Sequence, residues 1–247
     1  MNKAIFSHRS IRKYKSDPIP EDLLKNILEA GSRASTTGNM QVYSIIVTKD
    51  EDLKKQLWEC HFKQNMVLEA PVVLTFCADF NRFSRWCRLR KAEPGYNNFL
   101  SFFTAAIDAL LAAQNVCIEA EENGLGICYL GTTTYMANKI IDVLKLPQLV
   151  VPVTTVVLGY PDEQPGLTDR LPMEGIIHQN TYKDYTPHDI DMIYSLKESM
   201  GIYQQFVDEH QLESLAQVFT EKRYTKKDNE FFSEEFLKAI RRQGFLQ

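Results

Sequence analysis

The stretch FFTAAIDALLAAQNVCIEA, residues 102 to 120, is the longest apolar run in the chain and constrains its architecture more than any other segment. Asp108, Gln114 and Asn115 interrupt it, which a bilayer-spanning helix rarely tolerates. The run therefore predicts an interior or subunit-interface helix over about residues 101 to 122. Short β-branched runs at 43 to 50, 70 to 79 and 150 to 160, and a briefer one at 126 to 131, read as buried strands. Pro20 followed by Leu23, Leu24, Ile27 and Leu28 gives an amphipathic helix from about 20 to 32. Helical segments at 51 to 60 and 135 to 145, the latter stopping before Pro147, complete a mixed α and β core over residues 1 to 160.

From residue 161 the character changes. PDEQPGLTDRLP holds too much proline for a regular element. Beyond it TPHDIDMIYSLKESM, LESLAQVFTEKR and SEEFLKAIRRQG each carry helical periodicity. Residues 161 to 247 are thus expected to form an extension of loop and helices that packs on the core and on a partner subunit.

Composition narrows the function classes. A 44% hydrophobic, 24% charged chain is ordinary globular material, neither disordered nor membrane-embedded. A net charge of -4 gives no general attraction for nucleic acid or anionic lipid, so any anion site must be local. Five cysteines without a CxxC pair read as buried thiols of a reducing compartment, and MNKAIFSHRS lacks a secretory pattern, so a cytoplasmic location is expected. The five histidines are scattered without metal-ligand spacing, and no GxSxG appears.

Against that acidic background, SHRSIRKY at 7 to 14 crowds cations together. In extended backbone His8, Ser10 and Arg12 share a face, with backbone N–H groups between them, and such a segment can cradle a phosphate. A solvated basic arm is the simpler alternative on composition. Residues 32 to 44, SRASTTGNMQVYS, offer Ser35, Thr36, Thr37 and Asn39 as donors and acceptors suited to a polyhydroxyl chain or a heterocycle edge, or equally form a common loop. Gly124, Gly126 and Gly131 invite a dinucleotide fingerprint, but here a helix ends and a strand follows, the reverse of the required order. Gly124 is more simply a helix C-terminal cap, while Gly131 and Thr132 at the strand's end are placed to touch a ligand. Arg82, Arg85 and Arg88 form one stripe on a predicted helix. Like Lys222, Arg223, Lys226 and Lys227 in the tail, they read either as a dinucleotide contact or as solvated surface.

Six segments in order, HRSIR at 8 to 12, the hydroxyl-rich loop leading to Gln41, CADFNR, AAQNVCIEAEENGLG, LKLPQLVVP and DRLP, resemble the FMN-dependent nitroreductase family, in its branch of NADPH-dependent nitroreductases and flavin reductases. The resemblance implies an α+β nitroreductase-like fold, with a central mixed, mostly antiparallel sheet flanked by helices. It also implies an obligate homodimer with an intertwined C-terminal tail and FMN at the subunit interface. By position it implies that His8, Arg9, Ser10 and Arg12 bind the FMN phosphate and ribityl chain, and that Thr36, Thr37 and Asn39 line the flavin. Gln64 would hydrogen-bond the ring, as a donor to its reduced form, and Tyr129, Gly131 and Thr132 would form the turn beside it. Arg170 would complete the phosphate site. The family's pattern has a second glycine where Thr132 stands, and a lysine where the sequence Thr168, Asp169, Arg170 puts Thr168, so local charge near the phosphate changes. The implied activity is a two-step cycle in which NADPH or NADH reduces FMN and a small-molecule acceptor, a nitroaromatic, quinone or flavin, is reduced in turn. A protein that keeps the phosphate cradle but lacks turnover is the alternative that the departures at Thr132 and Thr168 to Asp169 leave open.

Overall fold

The structure, a computed structural model, describes residues 2–246. The chain divides into two compact units, one formed by residues up to 166 together with those from 232 onward, the other by residues 167 to 231. In the first unit α1 (Lys3–Ser7), α2 (Glu21–Ser32) and β1 (Tyr43–Thr48) come first. There follow α3 (Glu51–Cys60), α4 (Met66–Glu69), β2 (Val72–Asp79), α5 (Asn81–Leu89) and α6 (Phe99–Glu122). Then come β3 (Gly126–Leu130), α7 (Thr132–Tyr135), α8 (Ala137–Val143) and β4 (Val150–Gly159).

The four strands pair antiparallel in the order β1-β2-β4-β3. The Ser10–Ile127 bridge adds the basic segment as a short parallel edge on β3, which makes the sheet mixed but mostly antiparallel, as the family resemblance implies. Every residue of β2 is buried. On β4 the register slips opposite Phe76 and Cys77, so that Thr154 and then Pro152 face them. Proline has no N–H to give a ladder, and a bulge lets an inner strand carry it.

The long apolar run is α6. Asn98 caps its start by accepting the Ser101 N–H at 3.0 Å, worth about 1 kcal/mol. Its end is closed by Gly124 at φ 76°, with Leu125 N–H donating to Ala120 O and Gly124 N–H to Glu121 O. That pair of bonds needs a left-handed residue, which glycine adopts without strain. One face of α6 is buried through Ala105, Ala109, Ala113, Val116 and Ala120 against α2 and the sheet. The opposite face leaves Phe99, Leu100, Phe103, Ile107, Leu110 and Leu111 exposed. By length and composition this helix could cross a bilayer, yet 56% of its most apolar window is buried in the protein.

The second unit holds α9 (Pro187–Ser199), α10 (Gly201–Glu209), α11 (Leu215–Gln217) and a π-helical stretch, Val218–Arg223. Thr186 and Asp189 form a capping box at the start of α9. Helix α12 (Lys226–Arg242) begins in this unit and runs on into the first, where Ile240 and Phe245 are buried. There Gln243 donates to the carbonyls of Pro147 and Val150. All five cysteines are free and buried.

Candidate functional site

Helix α1 takes Ser7, so the extended part of the basic run starts at His8. It lies along β3, with Ile11 N–H donating to Ile127 O at 2.9 Å. A side chain at position 126 would put its Cβ 2.6 Å from Ile11, so glycine is what admits this segment. The sequence reading leaves backbone N–H groups here free for an anion. The structure commits several of them instead: those of Arg12 and Lys13 go to the Glu163 carboxylate, and that of Lys15 goes to Tyr160 O. Tyr14 donates its hydroxyl to Ile11 O at 2.6 Å, and burial pushes its pKa far up, so it stays neutral.

An anion bound here would therefore rest chiefly on side chains and on the N–H groups before Ile11. His8 Nδ1 sits 2.7 Å from Glu121 Oε1. Arg9 donates from Nη1 to Ser7 O at 2.9 Å, while its Nε is buried without a partner. A buried charged donor left unpaired costs about 1 to 3 kcal/mol or more, which is the signature of a missing acceptor. Arg9 lines a cleft of about 370 Å³ together with Ser7, Ile11, Glu121 and Glu163. Ser10 is half-buried and Arg12 is exposed.

The hydroxyl-rich loop is organised from a distance. Asp108, buried on α6, accepts from Thr36 Oγ1, from Thr37 Oγ1 at 3.3 Å and from Thr37 N–H at 3.0 Å. Gln41 N–H then donates to Thr36 Oγ1 at 3.0 Å. Asn39 and Gln41 both sit in left-handed backbone, at φ 56° and 47°, and Gln41 donates its side-chain amide to Asn39. Left-handed Gln is strained, and such strain persists where the surroundings fix it. Sequence reading missed Asp108 as the anchor of this loop; its place inside an apolar helix was the only signal.

A third group forms where α3 ends. His61 is fully buried, with Nδ1 2.8 Å from Thr132 Oγ1 and Nε2 unpartnered. Burial alone pulls its pKa down to about 4, so it is neutral near pH 7. Gln64 donates from Nε2 to His61 O at 3.0 Å and to Thr132 Oγ1 at 3.4 Å. Both amide protons are thereby committed inside the chain, which leaves Gln64 its acceptor Oε1 rather than the donor expected of it. Gly131 is exposed and a Cβ there would meet nothing within 4 Å, so the turn borders open space. Tyr129, by contrast, turns its hydroxyl to Gln114 at 3.4 Å, and burial raises its pKa. Its side chain is occupied in the core, which leaves the backbone as its contribution to the turn.

In the second unit Arg170 donates to Thr168 Oγ1 at 2.7 Å and to Asp169 O at 2.8 Å. Asp169 is itself held by Lys197 at 2.7 Å and by the Tyr203 hydroxyl, and these hydrogen bonds keep its carboxyl below the usual range. Lys197 thus offsets the acid next to Arg170, a pairing across 28 residues that local sequence does not announce. Arg223 lies 4.3 Å over the Phe206 ring. On α5 all three arginines are exposed, and Arg82 alone is tied down here, bonding the Gln41 and Tyr43 carbonyls. The arginine stripe is therefore a surface feature, anchored at its Arg82 end.

A sequence model of the Nitroreductase family matches residues 5–160. An NADPH-dependent oxidoreductase from Staphylococcus aureus (strain USA300) is 35% identical over 179 residues, 71% of this chain and 71% of that protein. A crystal structure from Bacteroides fragilis NCTC 9343, assigned in general terms as an oxidoreductase, matches with a TM-score of 0.97 at 57% identity over 99% of each chain. The NADPH:FMN oxidoreductase from Vibrio harveyi, solved with NAD+, matches with a TM-score of 0.80 at 25% identity, covering 99% of this chain and 98% of that one.

Proposed function

From the premise that the chain belongs to the nitroreductase family and is an NAD(P)H-dependent oxidoreductase, we propose that it binds FMN, accepts two electrons from NADPH or NADH, and passes them to a flat electron-poor acceptor such as a nitroaromatic, quinone or free flavin. The observation that carries the FMN assignment is Arg9, whose buried Nε lacks an acceptor in a chain of net charge -4. A phosphomonoester supplies the missing acceptor oxygens and a charge of roughly -1.5 to -2.

The residues present fit the group. Arg9, Ser10 and Arg12 would hold the phosphate, and Thr36, Thr37 and Asn39 would line the flavin. Gln64, Gly131, Thr132 and the Tyr129 backbone would border the ring. Strand β3 connects the two ends: from Ile127 beside Ser10 to Leu130, which leads into the Gly131–Thr132 turn, the extended chain covers roughly 10 Å at ~3.3 Å per residue. His8, engaged by Glu121, would have to share or exchange that partner to join the phosphate site; Arg170, a candidate by family pattern alone, is engaged by Thr168 within its own unit.

Bound FMN supplies a carrier that accepts hydride and returns two electrons. The chain's own work is placement and exclusion. Asp108 fixes the Thr36–Thr37 hydroxyls, so they need no reorganisation when a ligand arrives. His61 stays neutral and holds Thr132, while Gln64 keeps its Oε1 as the acceptor it has to offer. The exposed apolar face of α6 fits a second copy of the chain, whose cover would shut water out, and this supports a homodimer. Five buried thiols support a cytoplasmic location.

Protein reconstituted with FMN should be yellow, bleach with NADPH or NADH under argon, and regain its colour when a quinone is added. FMN that stays bound yet unbleached by either nicotinamide would overturn the activity.

A further inference from the structure

His61, Thr132 and Gln64 form a closed hydrogen-bonded group in which the proton inventory leaves one choice open. Thr132 Oγ1 has two lone pairs and one proton. Gln64 Nε2–H takes one lone pair, at 3.4 Å, and His61 Nδ1 lies 2.8 Å away. The imidazole is fully buried and its Nε2 meets no partner. A proton on Nε2 would strand a buried donor, the rarer and costlier defect, whereas a proton on Nδ1 is spent at once on Thr132. With Nδ1 as donor, both lone pairs of Thr132 are filled from within, and its own O–H has no acceptor left inside the group. The turn that carries it opens on free space at Gly131.

We infer that His61 is a positioning residue, locked as the Nδ1–H tautomer, that turns the Thr132 hydroxyl outward as an obligate hydrogen-bond donor to the ligand seated on the Gly131–Thr132 turn. The inference rests on the FMN reading above. It gives Thr132 the donor role that Gln64, with both amide protons committed, does not fill. A donor at that turn interacts more strongly with the ring once it carries the added electrons, so it favours reduced over oxidised FMN. Burial of His61 keeps it uncharged through the working pH range, which keeps the direction of the bond constant.

The test combines a spectroscopic readout with a potential. ¹⁵N spectra of histidine-labelled holoprotein should show His61 neutral and protonated at Nδ1; protonation at Nε2 overturns the inference. Thr132→Val keeps the shape and removes the donor, whereas Thr132→Ser keeps the donor. The valine variant should lose about tenfold in preference for reduced over oxidised FMN, a lowering of about 30 mV in the two-electron midpoint, and the serine variant should keep the native value. His61→Asn, whose amide N–H stands in for Nδ1–H, should also keep it, and His61→Leu should fall with Thr132→Val. An unchanged midpoint in Thr132→Val, with FMN bound and reducible, defeats this inference alone. A wild-type protein that takes up no FMN defeats the reading beneath it.

Discussion

Strand β2 and helices α9 and α10 are all rich in apolar residues, and they end in opposite conditions. All eight residues of β2 are buried. Helix α9 buries only Ile193, and α10 buries none. Ile190, Met192, Leu196 and Ile202 stay more than 40% exposed. The same contrast runs through α6, which is core on one side and bare apolar surface on the other. Apolar area of that extent on a single chain is a statement about assembly rather than about folding. Under the proposed homodimer, a second copy is what would cover the bare face of α6.

The sharpest way to break that contrast is to charge the bare face of α6. Ile107→Glu with Leu110→Glu should weaken self-association by at least about a thousandfold, since two buried unpaired carboxylates cost more than about 4 kcal/mol. Sedimentation velocity reads it directly, and an unaltered dimer would place the interface elsewhere. The same pair placed at Lys25 and Asn26 on α2, which are exposed and polar, should leave association as it is.

Within the first unit the largest expected loss is at Asp108. Asp108→Ala strands Thr37 N–H and the Thr36 hydroxyl and should cost about 2 to 4 kcal/mol, read as a fall in urea midpoint, while Asp108→Asn keeps an acceptor and should cost less. Comparable in size is the acid response of His61. The unfolded imidazole binds a proton near pH 6.5, but the folded one resists until about pH 4, so its contribution is intact above that window and is lost as pH falls through it. That loss is about 3 kcal/mol, and His61→Asn should remove it from the stability difference between pH 7 and pH 4. The smallest effect belongs to the second unit. Arg223→Ala removes a cation over Phe206 and should cost about 0.5 to 1 kcal/mol, with no change in the preference between NADPH and NADH. A loss of that preference would mark Arg223 as a nicotinamide contact instead.

What the sequence discloses divides along physical lines. Strands and long helices are local patterns of apolar residues, and the four strands and α2, α3 and α6 lie where those patterns put them, to within a few residues. The predicted helix over 135 to 145 is interrupted: α7 ends at Tyr135, Met136 leaves helical geometry at φ -115°, and α8 begins at Ala137. The π-helical stretch Val218–Arg223 was equally invisible, because its helical periodicity differs little from that of an α-helix over six residues. At the site, residue types were legible and their partners were not. Thr36 and Asp108 stand 72 positions apart, Arg12 and Glu163 151 apart, and His61 and Thr132 71 apart. No periodicity links positions so distant, and only the folded chain shows that several of the segment's backbone donors, those of Ile11, Arg12 and Lys13 among them, are already in use.

The central claim, that the basic segment grips a phosphate through Arg9, is tested most directly by titrating apoprotein with FMN and with riboflavin, which differ only in that group. The account predicts FMN bound at least about a hundredfold more tightly, with the advantage collapsing in Arg9→Ala while riboflavin affinity holds. Equal affinity for the two ligands, or an FMN advantage untouched by the loss of Arg9, would contradict it.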